Sequence, residues 1–211
     1  MTSTMTWLLA LGTVGLLVCY ELVLALAQWR SPGRLARSAH ASLRADWLEA
    51  LSHQKGSEIL AVQTLRNSMM SATMTASTAA LGLMGTVTLA APSLQASLGE
   101  SVHPAFTPRL ALALTLLALL FASLVSSAMA LRYYNHVGFI SGMPVDSEAR
   151  RKWTAAGVIY VRRAGILYSW GLRQLILVGP LLASILYPAA GPVAALLVIA
   201  VLFGFDRVAS Q

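Results

Sequence analysis

The chain has 211 residues, 57% of them hydrophobic and 11% charged, with a net charge of +7 and a single cysteine, Cys19. That balance, with a mean hydropathy of +0.69, excludes an ordinary soluble domain, and one cysteine excludes an intrachain disulfide or a cysteine-built zinc or iron–sulfur centre. The positive excess reads as membrane topology and not as a nucleic-acid footprint, because the apolar residues gather into runs of about twenty, enough to cross a hydrocarbon layer about 30 Å thick.

The expected fold is an all-α integral membrane protein in one domain. It has four to five transmembrane helices, the last one broken, and two cytoplasmic amphipathic helices. The first span covers about 7–29. Trp7 and Trp29 near its ends suit interfacial belts, and no Lys or Arg precedes the run, which argues against a cleaved signal peptide. Glu21 lies within it, nine residues before Arg30, or about 13 Å from that end. A carboxylate at that depth costs about 2.5–3.5 kcal/mol on insertion scales, so it must be protonated, paired or facing a wet cavity. Structural hydrogen bonding and a functional role both fit it.

In the cytoplasmic segment 30–66, Leu35, Ala39, Leu43, Trp47 and Leu51 recur at every fourth position with Arg37, Arg44, Glu49 and His53 between them. That is the pattern of an amphipathic helix. The second span, 68–91, stops at Pro92 and aligns Ser68, Ser71, Thr75, Thr78, Gly82 and Gly85 on one seam at intervals of 3 and 4. The seam is either a helix-packing face, whose hydroxyls satisfy themselves on their own helix, or the wall of a path for water or ions. The third span, 110–131, lies between Arg109 and Arg132 and offers Ser123 and Ser127 as part of an opposing wall. The cytoplasmic segment 132–171 holds the second amphipathic helix, with Asp146 as its N-cap and Trp153, Ala156, Tyr160 and Ile166 or Leu167 along one side. Pro180, Pro188, Gly191 and Pro192 interrupt the last apolar stretch, 172–205, which reads as broken near 187–192. A single crossing or a full hairpin both remain open, and with them the side on which the chain ends.

Thirteen of the fifteen Lys and Arg residues lie between Arg30 and Arg66 or between Arg132 and Arg173. The positive-inside rule then places both amphipathic helices in the cytoplasm of a bacterial inner membrane, with the amino terminus and the 92–108 loop outside. Side chains lean towards the amino end of their helix, so Arg66 points back to water whereas Arg132 points into the membrane. Arg132 is therefore the expected partner of Glu21, and the expected polar network comprises Glu21, Arg66, Asn67, Ser71, Thr75, Thr78 and Arg132. His40, His53, His103 and His136 never pair at metal-ligand spacing. Without a phosphate loop or a recognisable nucleophile, acid and base, neither a metal, a cofactor nor a catalytic residue is expected.

Several blocks form a recognisable series. Ala61-Val62-Gln63-Thr64-Leu65-Arg66-Asn67, followed by a Ser/Thr/Ala-rich helix with Met69 and Ala76-Ser77-Thr78, resembles the signature of the membrane-protein family called domain of unknown function 599. Arg44 with Trp47, the run Arg132-Tyr133-Tyr134-Asn135-His136, Gly171-Leu172-Arg173, Gly191-Pro192 and Asp206 fit the same family in order. Many members have Tyr-His where this chain has Tyr20-Glu21, which separates Glu21 from any family-wide role. The resemblance implies a multi-span helical membrane fold and no established activity.

Function is accordingly read from polarity within the membrane. The expected protein is a homo-oligomeric channel or transporter-like protein for a small ion or polar solute, with the lipid bilayer as its environment and no nucleic-acid partner. The alternative is a structural or accessory subunit of a larger membrane complex. A membrane enzyme is the third and weakest class.

Overall fold

A computed structural model of the chain describes residues 2–30, 36–98 and 106–206. All regular structure among them is helical: α1 (Ser3–Arg30), α2 (Ala36–Ser52), α3 (Glu58–Leu98), α4 (Pro108–Ser141), α5 (Glu148–Leu186) and α6 (Ala190–Asp206). Helices α1, α3, α4 and α5 are long and apolar enough to cross a membrane, and α6 is a shorter apolar helix. The chain is an integral membrane protein.

Length explains the architecture. At 1.5 Å per residue, α3, α4 and α5 measure about 50–60 Å, well beyond the ~30 Å of hydrocarbon. Helices α4 and α5 run through two cores, and α3 enters the second and packs Leu83 against the first. One joins α1, α4, α5 and α6 through Ala10, Leu17, Leu112, Leu116, Leu120, Leu177, Leu181, Ala195 and Leu202. The other joins α2, α3, α4 and α5 through Leu48, Leu65, Ala130, Tyr134, Val137, Val161 and Ala164. The second core lies in the half of the molecule that holds most of the Lys and Arg, here the basic half.

Helix ends depart from the expected boundaries for local reasons. Ser147, not Asp146, caps α5, its Oγ accepting from the Arg150 N–H at 3.1 Å. Asp146 instead meets Lys55 at 2.6 Å on an exposed surface. Arg150, 2% exposed, donates to the Ile140 carbonyl and so ties the α4–α5 turn. Gly56, with φ of 80°, takes the left-handed conformation that separates α2 from α3. Pro92 does not end α3, which continues to Leu98; the proline removes one backbone donor, and the helix-compatible residues after it let the rod resume.

The buried lines of the two amphipathic segments are rotated from the expected ones. On α2 they are Ala41, Leu48 and Leu51, while Leu43 is exposed; Leu35 lies outside the described residues. On α5 the small residues Gly157 and Ala164 face inwards with Val161, and Trp153 stays exposed. Close approach is the cause: a Cβ on Gly157 would sit 3.4 Å from both Leu48 and Ile140, so the aromatic side chains flank the contact and the glycine makes it.

The last stretch is a hairpin. Helix α5 ends at Leu186, Tyr187 caps it, and α6 starts at Ala190 and returns along α5 and α1. Gly191 permits the reversal, because any Cβ there would press on Ser184 and Thr13. The return carries Asp206 back to the level of Glu21.

Candidate functional site

Four polar side chains from three helices converge inside the apolar bundle. Tyr20 and Glu21 come from α1, Arg173 from α5, and Asp206 from the last turn of α6. The Arg173 guanidinium donates through Nε to Glu21 and through Nη1 to both carboxylate oxygens of Asp206, at 3.0 and 2.9 Å. The Tyr20 hydroxyl donates to Asp206 Oδ2 at 2.7 Å, and the guanidinium carbon lies 4.9 Å from the Tyr20 ring centroid. Arg173 is 5% exposed, against 24% for Glu21 and 19% for Asp206. Its Nη2 is buried and has no hydrogen-bond partner among the described residues.

Each helix contributes for a reason that can be stated. Tyr20 and Glu21 are neighbours about 100° apart on α1, so one reaches α6 while the other reaches α5. Asp206 sits where the helix dipole is negative, an unfavourable place for a carboxylate, and Arg173 offsets that charge. Gly171, two residues before Arg173, lets α5 press onto α4, where Ser123 Oγ donates to the Gly171 carbonyl at 2.7 Å. A Cβ on Gly171 would meet Ser127 Oγ and the Ser123 and Ser127 backbone. Ser123 and Ser127 thus hold α5 in register and do not face the α3 seam.

A second arginine borders the cluster. Arg37 of α2 donates to Gln28 Oε1 at 3.3 Å and places its guanidinium 4.4 Å from the Trp170 ring centroid. Burial pulls its pKa below the ordinary arginine value, and the positive charge of Arg173 acts in the same direction, while Asp206 and Glu21 oppose it. Two arginines and two carboxylates leave the group formally neutral, as a low-dielectric setting requires.

The expected pairing of Glu21 with Arg132 is replaced by Glu21 with Arg173. Thr6, Ala10, Pro108, Arg109, Leu112 and Pro188 line one small cavity, so α1 and α4 start at a common level. Glu21, eleven residues past Ala10, is therefore level with Ser123, and Arg132 lies nine residues, or about 13 Å, further along. Arg132 is exposed, as are Arg66 and Asn67. The seam divides: Thr75 is buried, Ser68 and Gly82 are half-buried, and Ser71, Thr78 and Gly85 face outwards. Ser68, Ser71, Thr75 and Thr78 donate to the carbonyl four residues earlier, and Gly82 receives Leu120 of α4 at a distance of 3.0 Å from its would-be Cβ. Asn67, Ser68 and Ser71 reach a cavity beside Arg44, Tyr134 and Tyr168, apart from Glu21. Among the described residues no group of His, Cys, Asp or Glu has metal-binding geometry.

Arg173, Asp206 and Arg37 were not in the expected network, although a signal for two of them exists. Arg173 is the one base from Leu172 to Phe205, and a hairpin near Pro188 returns Asp206 to within about a turn of it by counting residues on either side. Arg37 carries no such signal, since its place depends on how α2 docks. Gly-Leu-Arg and Asp206, which carry part of the resemblance, meet at this cluster, while Gly-Pro lies at the other end of α6 and makes the turn that returns Asp206. No curated protein and no solved structure matches the chain. The family described as "Protein of unknown function, DUF599" matches residues 8–211, essentially the whole chain, and the protein belongs to that family.

Proposed function

We propose that the protein moves a small ion or polar solute across a bacterial inner membrane as a homo-oligomer, and does not catalyse a reaction. The observation that supports this reading is the Glu21–Arg173–Asp206 cluster. Ionisable groups inside a membrane are costly, and those that face a bundle interior mark ion or proton pathways. One guanidinium holds two carboxylates from two other helices, with a buried nitrogen left over. Protonation of either carboxylate weakens its bond to Arg173 and loosens α1 or α6 from α5. The exposed edge of the α3 seam, Ser71, Thr78 and Gly85, supplies a small-residue surface on which a second copy can pack.

Purified protein in liposomes, given potassium and chloride gradients in turn, tests the reading. Flux above empty vesicles for either ion, changed severalfold by Glu21→Gln in a protein that remains folded, is the expected result. A folded protein with no flux for either ion removes it.

One observation favours a structural or accessory subunit instead. The α3 hydroxyls bond to their own backbone, so the seam needs no permeant to be satisfied, and the cluster then acts only as a clamp. Copurification with an unrelated membrane complex, together with absent flux, selects that alternative.

A further inference from the structure

We propose that the cavity between α2, α3, α4 and α5, separate from the ionic cluster, binds a phosphate group. Its lining is Arg44, Asn67, Ser68, Ser71, Tyr134 and Tyr168, around a volume of about 190 Å³. These side chains offer a guanidinium, an amide, two hydroxyls and two phenols, and no carboxylate. A wall built from donors with one fixed positive charge recognises an oxyanion. The volume falls below the several hundred cubic ångströms of a drug-sized pocket, which suits a single small group.

Arg44 is placed for this task. Its Nη1 lies 2.6 Å from where a Cβ on Gly165 would be, so only glycine at that position of α5 lets the guanidinium lie against the helix. Its one described hydrogen bond is a long one, 3.4 Å to the His40 carbonyl of its own helix. No described ion pair involves it, so most of its five donors remain for a ligand. Tyr134, 2% exposed, forms the back of the cavity beside Ser68. Ser68 and Ser71 donate to carbonyls on their own helix, at 3.3 and 3.1 Å, and rotation about one bond redirects either hydroxyl to an incoming oxygen. Asn67 and Ser71 are exposed, so the cavity opens at the side of the bundle. Tyr134 lies just past the third apolar run and Ser71 just inside the second, which is the level of lipid headgroups. A phosphate monoester on a lipid and a free inorganic phosphate both present the required chemistry at that level.

Thermal unfolding of the full-length protein separates the two sources. Inorganic phosphate is titrated in non-ionic detergent against chloride at equal ionic strength, and phosphatidylcholine nanodiscs are compared with and without phosphatidic acid. Stabilisation by phosphate alone assigns the free anion, by phosphatidic acid alone the headgroup, and by both the shared group. Arg44→Gln and Asn67→Ala should each weaken the effect by about tenfold or more, as expected when a charge-assisted or amide donor to an oxyanion is lost. Absence of stabilisation in both arms, or variants that respond like the unmodified protein, overturns the proposal. If Arg44→Gln does not fold, Asn67→Ala, whose side chain is exposed, decides alone. Neither result depends on ion flux through the cluster.

Discussion

Among the described residues Arg173 is the base on which two carboxylates depend in an apolar setting. Removing one partner of a buried ionic group typically costs about 3–5 kcal/mol, because the charge left behind is uncompensated. Arg173→Gln should therefore lower the melting temperature of the detergent-solubilised protein sharply, and adding Glu21→Gln with Asp206→Asn should restore much of the loss. If the triple variant is less stable than Arg173→Gln alone, the three residues do not act as one coupled unit. Arg132→Gln, on an exposed side chain, should leave stability unchanged. Lys55→Gln should do the same, because the Lys55–Asp146 pair is 75% and 71% exposed and water screens it. That Glu21 had to be protonated, paired or facing a wet cavity was legible in the sequence from depth alone. Which arginine answered was not, because side-chain lean along one helix says nothing about the relative level of two helices.

Among elements, glycine contacts separate necessary packing from incidental packing. A Cβ on Gly171 meets backbone atoms of α4, whereas one on Gly82 meets the flexible end of Leu120 and one on Gly85 meets nothing within 4 Å. Gly171→Ala should accordingly cost about 1–3 kcal/mol, the range for overpacking a tight contact, while Gly82→Ala should be mild and Gly85→Ala neutral for the single chain. Equal effects at Gly171 and Gly85 in thermal unfolding would contradict this account of the α4–α5 crossing. Helices α1, α3 and α4 were legible as apolar runs of suitable length and the break near Pro188 as a cluster of proline and glycine, whereas α5 joins the expected amphipathic segment to the start of the last apolar stretch in one continuous helix. Pro92 lies inside α3 because one missing donor interrupts a helix without ending it. The inward faces of α2 and α5 were obscured because the period was read from large apolar residues, while Gly157 and Ala164 make the contact.

For the whole molecule, charge distribution predicts orientation and the exposed edge of α3 predicts assembly. In a Cys19→Ala background, an impermeant thiol reagent applied to intact cells should label Gln95→Cys and spare Ala149→Cys, as the positive-inside rule requires. The reverse pattern would invert the topology. Gly85→Leu should change oligomer size in size-exclusion chromatography while the chain stays folded, because its position faces away from the chain's own helices. An unchanged size would assign that edge of α3 to lipid.

The unequal lengths of the rods have a mechanical consequence. Helices α3, α4 and α5 have 41, 34 and 39 residues, whereas α1 has 28 and α6 only 17. When bilayer thickness changes, long rods accommodate by tilting and short ones have far less freedom to do so. The shear between the two sets falls on whatever bolts them together, and Arg173 of a long rod grips Glu21 and Asp206 of the two short ones. The protein should thus tolerate a range of lipid chain lengths when the bolt is intact, and become thickness-sensitive in Arg173→Gln, with a stability optimum that narrows around one acyl length.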